Sequence, residues 1–205
     1  LATTGYEHRA YGKNAVYPHG HHGNAILSRH AIRNFKNHDI SDHALEKRGL
    51  LHAATRIGGD FGRGAAKNLH LICVHFGLTQ RSRIRQAQML IEFVRSEIPA
   101  KAPLIIGGDF NDWQQRVDSL LCEGLGVYEV CTIEQKAPWL NRLMPWRVNG
   151  SRPRLARTFP AIAPWLTLDR IYVRGLKVLS TRVPKGIEWA RRSDHAPLIA
   201  ELELR

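Results

Sequence analysis

Apolar positions along the chain gather into short runs divided by breaks rich in Gly, Pro and Asn. The segments Ala25–Ser28, Gly49–Ile57, Leu69–Phe76, Pro103–Ile106, Thr167–Val173, Lys177–Val183 and Leu198–Leu204 have the length and content of strands. Leu69–Phe76 is nearly all apolar, as a strand covered on both faces would be. One longer stretch has a different period. Ile84, Ala87, Ile91, Val94 and Ile98 recur every three or four residues, which predicts a helix over 79–98 with Thr79 as N-cap and Pro99 ending it. Arg81, Arg83, Arg85 and Glu92 are expected on its wet side. A weaker helix follows over 114–125, closed by Gly124 and Gly126. Strand, helix, strand in succession predicts an α/β fold.

Several stretches lack such periodicity. Residues 1–24 are polar and read as loop, including Pro18-His19-Gly20-His21-His22-Gly23-Asn24. Three close histidines suit a transition metal, but the run holds no Cys or carboxylate to complete a site. Residues 58–64 read as a glycine-dense hairpin turn. Gly-Gly-Asp-Phe occurs there and again at 107–110, and the first copy is a chance repeat within a turn. The span 135–168 has no Asp or Glu; it carries Arg147, Arg154 and Arg157 among other cations, with Trp139, Trp146 and Trp165. Five prolines keep it from being one regular element. Such an insertion can grip a phosphate backbone and stack on bases, sit at a membrane interface, or be a surface loop pinned by its tryptophans.

Charge narrows the partners. Thirty Lys+Arg against eighteen Asp+Glu give +12 over 205 residues, which favours anions such as nucleic acid, phosphate esters or acidic lipid. The length fits one domain over 1–205. Three cysteines in no CxxC spacing argue against a disulfide framework and for a reducing compartment, the cytoplasm by default. No apolar run is long enough to span a membrane.

Candidate chemistry sits at strand ends. Gly107-Gly108-Asp109-Phe110-Asn111-Asp112 follows one strand, and Ser193-Asp194-His195 precedes another. His75 ends the apolar run before the long helix, and Asp169 opens a strand. A lone His in an apolar run is commonly a hydrogen-bonded core residue, and Asp169 has Arg170 as a trivial partner. The order of the pieces argues otherwise. Gly23-Asn24-Ala25-Ile26-Leu27-Ser28, Val74-His75-Phe76-Gly77-Leu78, Asp109-Phe110-Asn111, Leu168-Asp169-Arg170-Ile171 and Ser193-Asp194-His195 together resemble the endonuclease/exonuclease/phosphatase superfamily, the group that includes DNase I and the exonuclease III-type enzymes. The wording is most like a bacterial branch.

The resemblance implies a two-sheet, DNase I-like four-layer α/β sandwich with outer helices and an active site where strand ends meet. It implies that Asp109 orients or deprotonates water, that Asn111 helps hold the phosphate and that acid, and that Asp194 is a metal ligand with Asp109 and Asn111 beside it. It pairs Asp169 with His195, the imidazole facing a phosphoryl oxygen, and gives His75 a second phosphate-facing place. His21, His22, Asn24, Arg147, Arg154 and Arg157 are candidate substrate contacts. The cofactor is Mg²⁺ or Mn²⁺, because a hard cation with oxygen ligands neutralises charge on a phosphodiester under attack.

One departure stands out. Relatives carry an Asn and a Gln-Glu pair in their first strands, and nothing before Gly20 supplies them. The chain is therefore expected to lack the family's first strands, with a weakened metal site and an exposed sheet edge able to pair with another chain. Two readings follow: a metal-dependent phosphoesterase, or a non-catalytic basic module that binds nucleic acid or anionic lipid. The five intact polar residues Asp109, Asn111, Asp169, Asp194 and His195 favour the enzyme.

Overall fold

The computed structural model describes residues 5–43, 46–58, 66–132 and 155–205. In chain order the elements are β1 (His8–Tyr17), β2 (Gly20–Ser28), β3 (Ile32–Asp39), β4 (Gly49–Ile57), β5 (Lys67–His75), α1 (Gln80–Glu97), β6 (Leu104–Asp109), α2 (Asp118–Leu125), β7 (Tyr128–Glu129), β8 (Asp169–Arg174), β9 (Leu176–Arg182), α3 (Ile187–Ala190) and β10 (Ile199–Leu204). Six strands form one sheet in the order β3-β4-β5-β6-β8-β7. Its β5–β6 pair is parallel, joined through α1, and the other pairs are antiparallel. The hairpins β1–β2 and β9–β10 are separate ribbons.

Alternation along the central strands sorts their side chains onto two faces. Leu50, Ile72, Val74, Leu104, Ile106 and Tyr172 face one way and bury against α1 and α2. The alternate residues Leu69, Leu71, Ile105, Ile171 and Val173 pack against Val178, Ala200, Leu202 and Leu204 of β9–β10. Leu51, Ala53 and Cys73 pack against Ala10 and Ile26 of β1–β2. Both hairpins therefore cover the same face, opposite the helices. The predicted α/β layering holds, and the second layer is built from two ribbons among the described residues. Cys73, Cys122 and Cys131 are free thiols. No described helix is long and apolar enough to cross a membrane.

The long helix starts where its sequence says. Thr79 accepts a hydrogen bond from the Ser82 N–H, and Ile98 ends the helix in extended geometry before Pro99. Its buried stripe differs from the one expected. Arg83 is 1 % exposed rather than on the wet side, and Gln86 is fully buried. The reason is a set of local partners that reading charge alone leaves out. Arg83 donates to the Leu78 carbonyl at 2.6 Å, lies 3.9 Å from the Asp112 carboxylate and stacks under Trp113. Asp112 in turn accepts the Arg116 and Val117 N–H groups ahead of α2. This network fixes the loop that follows β6.

The N-terminal segment corrects a second expectation. Residues 8–28, read as polar loop up to Asn24, form the β1–β2 hairpin, and β3 follows as an edge strand. The inward positions of β1 are Ala10, Gly12 and Ala15, whose small size lets the ribbon lie close to the sheet but leaves no strong apolar alternation to read. β3 is mostly exposed and polar, as an unpaired edge tends to be. Asn24 is buried between the layers, and its Nδ2 donates to the carbonyls of Gly49 at 2.7 Å and Cys73 at 3.0 Å. Replacing Asn24 by Ala removes both donors and is expected to cost about 1–3 kcal/mol. Urea unfolding checks this as a lower midpoint at unchanged slope.

Candidate active site

The strand register brings the distant residues together. β5, β6 and β8 are neighbours, with His75 opposite Asp109 and Asp109 opposite Asp169. The three side chains form one row on the sheet face that also carries the hairpins. β6 reaches β5 closely because residue 108 is glycine: a Cβ there would sit 1.9 Å from the Val74 carbonyl oxygen, and φ is +148°. Just past β6 the chain turns sharply. Asn111 adopts φ 50°, a left-handed conformation that Asn tolerates better than most residues. Its N–H donates to Asp109 Oδ1 at 2.8 Å, and its Nδ2 donates to the Phe76 carbonyl at 2.9 Å. That leaves Asn111 its amide oxygen for a cation or donor and its second Nδ2–H for an acceptor.

His195 comes from the loop before β10 and completes the row. Its Nδ1 lies 2.7 Å from Asp169 Oδ2, with both side chains about three-quarters buried. The Nδ1–H donates to the carboxylate, so Nε2 is the nitrogen free to meet a substrate. Backbone bonds fasten this loop: Ala161 N–H to the Asp194 carbonyl at 2.7 Å, and Ala196 N–H to the Thr158 carbonyl at 2.7 Å. Thr158 Oγ1 accepts the Asp169 N–H at 3.3 Å, so the segment that anchors His195 also touches its partner. Arg170, the trivial partner for Asp169, faces the other way and donates to the Asp112 carbonyl at 2.7 Å.

Burial and charge set the protonation states. Desolvation works against a charged His195, but the hydrogen bond to Asp169 and the charges of Asp169, Asp109 and Asp194 outweigh it and raise its pKa. His75 is driven the opposite way. Burial, with the charges of Arg48, His22 and His195, lowers it to about 4, so it is neutral at pH 7. Its Nε2 is 3.6 Å from Asp109 Oδ2, an approach rather than a hydrogen bond. Asp109 is raised chiefly by burial, with Asp169 adding repulsion and the Asn111 N–H opposing it. The two imidazoles of one row are thus poised differently.

The other candidates divide. His22 is close enough for its charge to bear on His75, whereas His21 turns to the outer face and bonds the Tyr11 hydroxyl at 2.9 Å. Asn24 serves the interlayer contact described above. Asp194 is exposed beside the row. Arg157 is exposed, one residue from Thr158. Arg147 and Arg154 lie outside the described residues. Arg48 was not anticipated. It is mostly buried, pairs with Glu46 at 3.0 Å, and its charge bears on both His75 and Asp109. In sequence, Glu46-Lys47-Arg48 looks like an ordinary charged turn.

Among the described residues no three His, Cys, Asp or Glu side chains converge as a metal cage. A hard cation such as Mg²⁺ keeps most of its waters and takes one or two carboxylates. The oxygen groups a hard cation could use here are the Asp109 carboxylate and the Asn111 amide oxygen, with Asp194 exposed next to His195. Beside the row lies a cleft of about 510 Å³ whose walls include Asp169, His195, Trp189 and Arg192.

Comparison with known proteins identifies the family. Residues 2–195 match the Endonuclease/Exonuclease/phosphatase family. The uncharacterized protein YbhP of Escherichia coli K12 is 41% identical over 204 residues, covering 100% of this chain and 72% of that protein. Among solved structures, an endonuclease/exonuclease/phosphatase from Beutenbergia cavernae superposes with a TM-score of 0.66 at 18% identity, over 100% of this chain but 55% of its own. The human Nocturnin catalytic domain with bound sulfate anion superposes with a TM-score of 0.71 at 18% identity, over 100% of this chain and 74% of that domain. Those structural likenesses speak to the fold. The family match across nearly the whole length and the identity to YbhP establish that the chain belongs to the endonuclease/exonuclease/phosphatase family.

Proposed function

We propose that this chain carries the reacting centre of a Mg²⁺-dependent phosphoesterase, with Mn²⁺ as a substitute, that cleaves a phosphodiester by direct attack of water. The observation that carries the reading is the single row His75–Asp109–Asp169 with His195 clamped to its end. Membership of a family of phosphate-ester hydrolases supports the same class. The non-catalytic alternative leaves the oppositely shifted imidazoles without a purpose.

Asp109 is the base. Its Oδ1 is held by the Asn111 N–H, leaving Oδ2 to accept a proton from water as the new P–O bond forms. The phosphoryl group gains negative charge while the bond to the leaving alkoxide breaks. His195, kept cationic by Asp169, donates from Nε2 to a non-bridging oxygen and stabilises that charge. The alkoxide takes a proton from solvent. His75, neutral, offers a hydrogen bond beside Asp109 without competing for the proton. Arg48 and His22 add positive or polar character on the β5 side. Asp109, Asn111 and Asp194 would hold a Mg²⁺, which would supply charge neutralisation at the phosphate.

Asp109→Asn and His195→Ala are each expected to lower kcat for bis-p-nitrophenyl phosphate by about 10²–10⁴-fold. Full activity in both variants would place the chemistry elsewhere. EDTA is expected to abolish turnover, and Mg²⁺ or Mn²⁺ to restore it. The pH profile is expected to be a bell. Its acid limb, from protonation of Asp109, lies above the ordinary Asp value of 3.8 because that pKa is raised. Its alkaline limb, from loss of the His195 proton, lies above 6.5 because that pKa is raised too. Asp169→Asn should move the alkaline limb down and leave the acid limb nearly in place.

A further inference from the structure

A second cleft opens on the far side of the segment that anchors His195. It encloses about 780 Å³ and is lined by Arg157, Arg182, Lys185, Thr167, Thr181 and Gln115 among others. Among the described residues three cations line it and no acid does. The nearest buried acid, Glu129, is turned inward, with Oε2 accepting the N–H groups of Cys131 and Thr132. On β10, Glu201 accepts a hydrogen bond from the Ser180 hydroxyl at 3.1 Å. Among the described residues, Arg157, Arg182 and Lys185 form no ion pair with a carboxylate.

The cleft shares its backbone with the reacting row. Arg157 precedes Thr158, which bonds both the Asp169 N–H and the Ala196 N–H. Thr167 lies two residues before Asp169. At the rim, Gln115 holds φ 58°, a left-handed conformation that costs an L side chain about 1–2 kcal/mol. Strain of that kind collects where function requires a particular side-chain placement. Trp165, two residues before Thr167, is 65% exposed and offers a face for stacking.

We infer that this cleft is a second anion subsite, taking a further phosphate of a single-stranded phosphodiester chain whose scissile phosphate lies at His195 and Asp109. The inference rests on the phosphoesterase reading and deepens it by naming the substrate class. A concave cleft with cations on its walls and hydroxyls between them takes a chain threading past, whereas a membrane surface is met by a convex or flat basic patch. Hydroxyls of Thr167 and Thr181 are suited to phosphate oxygens, and the cations supply the sequence-independent attraction.

The test uses the product of the complete reading frame. Binding of fluorescein-labelled hexathymidylate is followed by anisotropy in a His195→Ala background with EDTA present, with and without R182E/K185E. The dissociation constant is expected to rise at least tenfold. The slope of log affinity against log salt is expected to fall by about 1.4, at about 0.7 per phosphate contact for a single strand. R182Q/K185Q should give an intermediate loss. In the active background, KM for the oligonucleotide should rise at least ten times more than KM for bis-p-nitrophenyl phosphate, which has one phosphate and reports folding and the reacting row. Equal hexathymidylate affinity with and without the charge reversal overturns the subsite, even if turnover of both substrates is intact. So does loss of retention on phosphatidylglycerol vesicles with oligonucleotide affinity kept, which would assign these cations to a membrane. Absence of any turnover in the wild type would sink the phosphoesterase reading instead, and the anisotropy would still decide the subsite.

Discussion

The shared register of β5, β6 and β8 is the constraint on which the site depends. Side chains alternate along a strand, so slipping one pairing by a single residue would send that strand's polar group to the helix face. The close approach at Gly108 and the parallel β5–β6 pairing tie Asp109 to His75. The antiparallel β6–β8 pairing then ties Asp169 to Asp109. Apolar packing enforces this order from both sides, since the same alternation buries Ile72, Val74 and Ile106 under α1 and Leu71, Ile105 and Ile171 under the hairpins. A slip would forfeit both cores at once.

Once the row exists, its electrostatics follow from small differences of position. His75 and His195 are the same chemical group near the same acids. His195 has a carboxylate at 2.7 Å and is pulled towards its cationic form. His75 has no such partner, is desolvated by burial and sits among positive neighbours, so it is pushed towards the neutral form. A donor cation and a neutral imidazole are thus supplied side by side without any change of residue type. The loop after β6 is held with similar economy. Arg83 and Arg170, both nearly inaccessible, reach Asp112 and its carbonyl from opposite elements and fix the turn that presents Asn111.

The surplus positive charge of the chain is not spread evenly. Buried cations serve the loop framework, while Arg157, Arg182 and Lys185 stay exposed along one cleft. Net charge by itself names no partner. Its distribution relative to the row of His75, Asp109, Asp169 and His195 is what carries meaning, because a focused positive field draws anionic groups to one place.

Much of this was legible in the amino-acid order. The apolar period of Gly49–Ile57 matches β4 residue for residue, Thr79 and Pro99 bracket α1, and the motif order gave the family and the Asp169–His195 pairing. Those features are local, or are carried by short wording that survives in the chain. What was misread has a common cause. The β1–β2 hairpin buries Ala and Gly, whose contribution comes from closeness to a partner layer and not from hydrophobic periodicity. Arg83 looks solvated until Asp112 and Trp113, about thirty residues away, are folded against it. Arg48 looks like part of a surface turn until its charge reaches His75 and Asp109. Local sequence determined which segments become strand or helix, because period and caps act over a few residues. Tertiary structure alone decided which side chains meet, which protons they hold and where the free charge collects, because those depend on distances between residues far apart in the chain.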